Sequence, residues 1–428
     1  MTRDARTTVV TGLGLVTPVG ADEESFWAGL CAGESAARRC GELAGLPADF
    51  ACRAAGPDPD EAVGGRAGWR MARFVKLALM AARRAVADAG LDPAHWDGER
   101  VGVVLGVGVG GVSVLVDNVR KLDASGPHAV SPLLAPMMMP NAAAGEVAID
   151  LRAHGPSLAP ATACASGATA IALARDLLTS GRCDVVVAGG AESVLTPLVV
   201  TAFAGMGALS TRTGDPAGAS RPFAPDRDGF VLGEGAAVLV LERGEDVRAR
   251  GARARAVLAG AGAATDAHHP TAPDPGGRGA RRAVEAALAE AGWSAHEVDH
   301  INAHGTSTPL NDAMEAALIE RLFPHRPSVT APKGVTGHTL AAGGAIEAAA
   351  TVLTLEHGVV PPVANLAAPP TEWDIDCVTK QPRPQHVLRA VSHSFGFGGH
   401  NVALAFGRVR NDGGRTPSTA TGVGFRVS

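Results

Sequence analysis

The chain has 428 residues, 46% of them hydrophobic and 19% charged, with a formal net charge of -5. That length and apolar content can bury a large core in about two or three domains, and the mildly acidic balance gives no global reason to expect nucleic-acid binding, leaving only a local basic patch for an acidic protein partner. Six scattered cysteines without a C-x-x-C pair, no opening secretory signal, and apolar runs such as Val185–Ala191 that fall far short of the roughly 20 residues of a spanning helix lead us to expect a reduced, cytoplasmic protein with no transmembrane segment.

Short β-branched runs ending in Gly-rich turns alternate with Ala-rich stretches, which predicts an α/β protein with buried sheets. In chain order the reading is a strand at Thr8–Val10, a helix over Arg70–Ala89, a strand at Val101–Leu105, a helix over Gly167–Leu178, and strands at Asp184–Ala188 and Ala236–Leu241. A helix follows over Gly279–Ala291, then a strand at Asp299–Asn302, helices over Asp312–Leu322 and Gly343–Glu356, and strands at Ala390–Ser394 and Asn401–Phe406. Gly205 to Gly235, rich in Gly, Pro, Arg and Asp, reads as a long ordered loop, and such length favours function over linkage. The polar, Gly/Pro-bearing segment 411–428 reads as a disordered tail.

Two turns carry chemistry, one after Leu158–Ala163 and one after Asp299–Ala303, each passing from an extended run into a Gly/Thr/Ser segment. That parallel hints at two related halves, here drawn as 1–255 and 256–410. In Ala161-Thr-Ala-Cys164-Ala-Ser-Gly167 the thiol precedes a helix, where the dipole and free N–H groups favour a thiolate nucleophile. The bland reading of a cysteine is a small buried thiol, and Cys31, Cys40, Cys52, Cys183 and Cys377 keep it. Ala303-His304-Gly-Thr-Ser-Thr308 sets an imidazole at a strand end, able to donate to a developing oxyanion, and Lys333-Gly-Val-Thr-Gly-His338 sets another beside a lysine. Either histidine alone could be structural; together with Cys164 they suggest a Cys-His-His set. Ser392-His-Ser-Phe-Gly-Phe397-Gly-Gly-His400-Asn401 fits one half of an oxyanion hole, although for the motif standing alone a plain hairpin turn is the default reading. Gly106-Val-Gly-Val-Gly-Gly111 imitates a dinucleotide loop but lacks its glycine spacing.

These motifs, in this order, resemble the β-ketoacyl synthase family of the thiolase-like superfamily, and within it the elongating, stand-alone enzymes of type II fatty-acid and polyketide synthesis. The resemblance runs from Val9-Val-Thr-Gly-Leu-Gly to the strand ending at Phe406, with further matches at Val187-Ala-Gly-Gly-Ala-Glu192, Arg221-Pro-Phe and Asp226–Gly235. It implies a layered αβαβα fold of two pseudo-repeated halves, the first carrying the cysteine and the second both histidines. It implies that Cys164 carries an acyl thioester, with its own N–H and that of Phe397 on the oxyanion, while His304 and His338 serve decarboxylation of malonyl-ACP. By the same resemblance Lys333 supports the histidines, Glu347 is tied to that lysine, and Asp312 and Glu315 are architectural. By that resemblance Phe397 also gates the acyl pocket, Thr306 and Thr308 contact the phosphopantetheine arm, and Val109 and Phe203 line the acyl tunnel, where Val109 helps set chain length. No cofactor or metal is implied beyond the phosphopantetheine arm on the carrier.

For partners, the resemblance implies an acyl carrier protein and a homodimer formed across a strand of the first half, or a heterodimer with a silent relative. Arg66, Arg70, Arg73 and Lys76 form a basic stripe able to meet an acidic carrier, or simply a solvated helix face. His393 stands where the family commonly has a polar amide. Three functions stay open: decarboxylative condensation of the Cys164-bound acyl chain with malonyl-ACP, acyl transfer or cyclisation of a carrier-bound chain, and a silent chain-length partner, which the presence of Cys164 disfavours.

Overall fold

The run Val-Val-Val-Ala-Gly-Gly-Ala carries no charge before Glu192, so both its faces can be covered, the condition for a central strand. It forms one in the computed structural model, which describes residues 7–64, 68–368 and 370–409. Arg66 and the predicted tail 411–428 lie outside the described residues.

One sheet holds eleven strands: β1 Thr8–Val16, β2 Val101–Gly106, β3 Ser157–Leu158, β4 Val185–Glu192, β5 Gly235–Arg243, β6 Ala256–Thr265, β7 His300–Asn302, β8 Ser328–Thr330, β9 Asp376–Cys377, β10 Arg389–Gly396 and β11 His400–Arg408. Their spatial order is β9-β8-β7-β10-β11-β6-β1-β5-β4-β2-β3. On one side β1–β5 and β5–β4 are antiparallel, then β4–β2 and β2–β3 parallel. On the other, β6–β11 and β11–β10 are antiparallel, then β10–β7 and β7–β8 parallel. The same succession of pairings thus occurs twice, and the two half-sheets join along a short seam where Thr8–Val10 lies antiparallel to Ala256–Leu258.

The helices of nine residues or more are α1 Glu23–Ala32, α2 Arg73–Asp88, α3 Val112–Ser125, α4 Ala142–Asp150, α5 Ser166–Thr179, α6 Pro197–Gly205, α7 Arg278–Ala291, α8 Pro309–Leu322 and α9 Gly343–His357. Helix α2 packs on β1 and β5, while α7 packs on β6 and β11. Between the half-sheets lie α5, against β4 and β2, and α9, against β10, β11 and β5, completing the expected αβαβα layers. From Gly343 to Leu355 the sequence of α9 is apolar or small apart from Glu347, as a helix covered on every side must nearly be, and each of these residues is buried. The two central helices cross at their starts, where any side chain at Gly344 would sit 2.9 Å from the Ala168 nitrogen and any at Gly167 would sit 2.7 Å from the Ala341 oxygen. Those glycines let the turns leading into α5 and α9, which carry Cys164 and His338, approach one another.

All the predicted strands lie in or overlap observed ones, and the predicted helices match α2, α5, α7, α8 and α9, with α2 beginning at Arg73 rather than Arg70. Helices α1, α3, α4 and α6 and strands β3, β6, β8 and β9 escaped the reading. In β6, Ala-Val-Leu-Ala-Gly-Ala-Gly-Ala-Ala-Thr has few β-branched residues because α7 packs close against it, so the usual strand composition is missing. Helix α3 gives no helical stripe facing a core because Asn118 is its one buried residue.

One ion cluster ties the layers together. Arg255, at the start of β6 and 1% exposed, reaches Glu23 of α1 and Asp88 of α2 and pairs with Glu356 of α9 at 2.7 Å. Truncating one member of a buried ion cluster leaves the rest uncompensated, an effect blunted here because Glu23 and Asp88 reach solvent. Arg255→Met is therefore expected to lower unfolding free energy by about 2 kcal/mol, read from the urea midpoint at unchanged slope.

Candidate active site

Cys164 lies in a turn of 3-10 helix, Ala163–Ala165, two residues ahead of the first residue of α5. Ser166 holds this turn, accepting from the Thr162 N–H at 2.9 Å and donating to the Ala163 carbonyl at 2.6 Å. Ala163 sits at φ +50°, a strained conformation for a residue with a side chain, next to the sulfur.

The strand-end turn after β7 presents His304. Its N–H and that of Gly305 each donate to the Glu315 carboxylate at 2.8 Å, and His393 Nδ1 lies 3.0 Å from the same group. Asp312, one turn earlier on α8, accepts from the N–H groups of Phe223 at 2.9 Å and Ser307 at 3.2 Å. These contacts give Glu315 and Asp312 the architectural position expected of them. They also supply a place for His393, whose substitution for a polar amide carried no mechanistic meaning on its own: it is buried behind the His304 turn. Burial pushes the Asp312 carboxyl up to about 6 against these donors.

His338 is held from the opposite side. Its N–H donates to the Val231 carbonyl at 2.7 Å, and its carbonyl accepts from Gly233 at 2.9 Å. Ser220 Oγ donates to the Lys333 carbonyl at 2.6 Å. Val231, Gly233 and Ser220 belong to the long loop between α6 and β5, so that loop is ordered as predicted and acts as a brace.

Lys333, 2% exposed, directs its ammonium at three acceptors: Glu347 Oε1, the His304 carbonyl at 2.6 Å and His304 Nδ1 at 3.1 Å. An ammonium has three protons and no acceptor. Nδ1 of His304 must then accept, which leaves the proton of the neutral ring on Nε2. Burial, with the Lys333 charge next, holds His304 and His338 well below the ordinary histidine range, so both rings are neutral at pH 7. Burial pushes Glu347 up to about 7, with Lys333 pulling it back.

The three reactive side chains meet. His338 Nε2 lies 3.1 Å from Cys164 Sγ, and the two imidazole rings stand 5.6 Å apart, edge to face. They open on a cavity of about 430 Å³ whose wall includes Val109, Phe203, Thr306, Thr308 and Phe397. Thr306 and Thr308 hydroxyls lie 2.8 Å apart, and the Phe397 ring tilts against Phe203 at 6.5 Å. The turn from Phe397 to Gly399 does close a hairpin between β10 and β11, and its Phe397 N–H is directed at Cys164.

Two expectations need correction. Burial pushes the Cys164 thiol up to about 11, although the Lys333 charge and the Phe397 N–H pull it back. With the sulfur buried ahead of the helix, desolvation prevails over these two and the resting group is the thiol. The basic stripe is also largely spent within the chain. Arg73 makes a two-pronged pair with the buried Glu234 at 2.9 and 2.7 Å, and Lys76 is buried against Asp60. Arg70 remains on the surface, 3.0 Å from Glu146, and Arg66 lies outside the described residues. Among the described residues no group of three or more His, Cys, Asp or Glu is arranged to hold a metal, and no helix is long and apolar enough to cross a membrane.

A thiol at the start of a central helix, facing two neutral imidazoles across a cavity between pseudo-repeated half-sheets, defines a thiolase-like condensing site. The chain belongs to the β-ketoacyl synthase family: the family's N-terminal domain matches residues 5–247 and its C-terminal domain residues 255–367. It is 43% identical over 406 residues to a 3-oxoacyl-[acyl-carrier-protein] synthase 2 of Synechocystis, covering 93% of this chain and 97% of that one. The solved ishigamide ketosynthase/chain length factor superposes with a TM-score of 0.88 at 33% identity, over 94% of this chain and 99% of that one. A type II polyketide synthase acyl carrier protein in complex with its ketosynthase bound to the hexaketide also gives 0.88, at 29% identity, over 95% and 100%.

Two outcomes check this geometry. Alkylation of Cys164 by iodoacetamide, followed by peptide mass, is expected to accelerate about tenfold per pH unit from pH 7 to 9, because only the thiolate reacts; a plateau below pH 8 would mean a thiolate at rest. Lys333→Met is expected to cost about 3 kcal/mol in urea unfolding at pH 8, by leaving Glu347 unpaired in the interior. At pH 6, where Glu347 is the more readily protonated, the loss should shrink, and adding Glu347→Gln should recover most of it.

Proposed function

We propose that this chain is an acyltransferase that performs decarboxylative condensation of a Cys164-bound acyl chain with malonyl-ACP, giving 3-oxoacyl-ACP in fatty-acid or polyketide biosynthesis. The observation that carries the reading is the convergence of Cys164, His304 and His338 on one cavity, with Lys333 fixing the His304 proton on Nε2.

In the first step Cys164 attacks an acyl thioester, its proton passing to His338 Nε2, 3.1 Å away, and on to the departing carrier thiolate. The N–H groups of Cys164 and Phe397 receive the developing oxyanion. Malonyl-ACP then loses CO2: the bond to the carboxylate breaks and its electron pair moves onto the thioester oxygen as an enolate. His304 Nε2–H donates to that oxygen, joined by His338 when its proton is on Nε2. Neutral donors in a dry site stabilise charge as it appears without holding the carboxylate back beforehand. The enolate carbon attacks the acyl carbonyl, the new carbon–carbon bond forms as the carbon–sulfur bond breaks, and Cys164 regains one proton from solvent.

The carrier arm would run past Thr306 and Thr308, and Arg70 offers a cation to the carrier's acidic surface. Support for a carrier partner comes from the ketosynthase relative solved with its acyl carrier protein. We assign the exposed apolar residues Leu115, Val119 and Leu122 of α3 and Leu158 of the edge strand β3 to a subunit interface. A second copy is the favoured occupant; a chain-length-factor partner, as in the ishigamide relative, is the alternative.

Purified protein is expected to release CO2 from malonyl-ACP. Cys164→Ala should abolish condensation while CO2 release persists, since both histidines remain. Lys333→Met with Glu347→Gln should stay folded yet release CO2 about a hundredfold more slowly. Absence of CO2 release by the wild type with any carrier protein would instead favour acyl transfer or cyclisation.

A further inference from the structure

Glu192 ends β4 and is fully buried in the cavity wall beside Cys164, yet none of the steps above uses it. Its carboxylate has three partners, all backbone N–H groups of successive residues. Oε2 accepts from Gly108 at 2.9 Å and Val109 at 3.1 Å, and Oε1 accepts from Gly110 at 3.1 Å. Three amides converging on one anion form the kind of nest that elsewhere holds a phosphate. Here the chain supplies the carboxyl group itself, which burial pushes up to about 7 while the three amides pull it back towards the ionised form; this accounts for the glycine-rich loop after β2 that imitates a nucleotide site. Gly110 takes φ +77°, and a β-carbon at position 108 would lie 2.8 Å from Glu192 Oε2, so the loop wraps the carboxylate at contact distance. Val109, flanked by glycines that have no side chains to pack, owes its place to this grip. Its own side chain lines the cavity and is otherwise exposed.

We infer that Glu192 is a positioning residue that sets the wall of the cavity at Val109 and thereby the length of acyl chain that Cys164 accepts. The inference rests on the reading of the cavity as an acyl pocket. Glutamine has one oxygen where the carboxylate has two, and its NH2 would face an N–H. Glu192→Gln should therefore release part of the loop and let Val109 retreat.

The experiment measures kcat/KM for acylation of Cys164 by saturated acyl-ACP thioesters graded in length, with the adduct read by intact mass. In Glu192→Gln the ratio of long-chain to short-chain kcat/KM should rise about tenfold, the scale on which an apolar pocket separates neighbouring chain lengths, and the change should lie in KM for the long chains. Val109→Ala should give the same shift, and the double variant no further one, because both act through one wall. Gly108→Ala attacks the same cradle from the loop side without removing a buried charge, and it decides the matter if Glu192→Gln does not fold. A length profile unchanged from wild type, or lowered equally at every length, in folded variants would overturn the inference alone. A wild-type protein that no thioester acylates would overturn the acyl-pocket reading and this inference with it.

Discussion

The site depends on one buried cation whose every proton is assigned. Lys333 has no water to fall back on, and its contacts to Glu347, the His304 carbonyl and His304 Nδ1 use its whole donor capacity. A charge in that setting is tolerable only when paired and hydrogen-bonded. The arrangement also determines which nitrogen of His304 faces the cavity with a proton, so a requirement of stability and a requirement of chemistry are met by the same three contacts. Burial, and after it the lysine's field, lowers the proton affinity of both imidazoles, keeping them as neutral donors.

Around this centre, each reactive turn is braced by a different part of the chain. The cysteine turn is held by its own helix through Ser166, the His304 turn by the Glu315 carboxylate on α8, and the His338 turn by the loop between α6 and β5. The crossing of α5 and α9 at Gly167 and Gly344 then sets the spacing between sulfur and imidazole. The two half-sheets contribute one side each, which is why the nucleophile and the histidines lie so far apart in sequence.

Much of this was legible beforehand because the informative signals are local. Cys164, His304, His338 and Phe397 each stand at a strand end or helix start among Gly, Thr and Ser, and turns of that composition expose side chains at fixed places. The Lys333–Glu347 pair followed from the family resemblance and is present. What stayed hidden was set by packing over long distances. Burial dominates the Cys164 thiol, a quantity no residue pattern reports. Arg73 and Lys76 read as a solvent stripe because Glu234 and Asp60, their partners, belong to other segments. Strand β6 was missed because its small residues answer to α7 rather than to strand propensity, and His393 had no sense until Glu315 was beside it.

The burial of α9 on every side has a consequence for biosynthesis. This helix covers the inner face of β5, which ends at Arg243, yet α9 itself begins only at Gly343. On the ribosome the part of that inner face which α5 leaves uncovered must wait until a long stretch of later chain has emerged. Nascent chains in that condition are the ones prone to aggregate and to need chaperones. The late arrival of one helix thus makes translation speed and holdase supply part of what determines the yield of active protein.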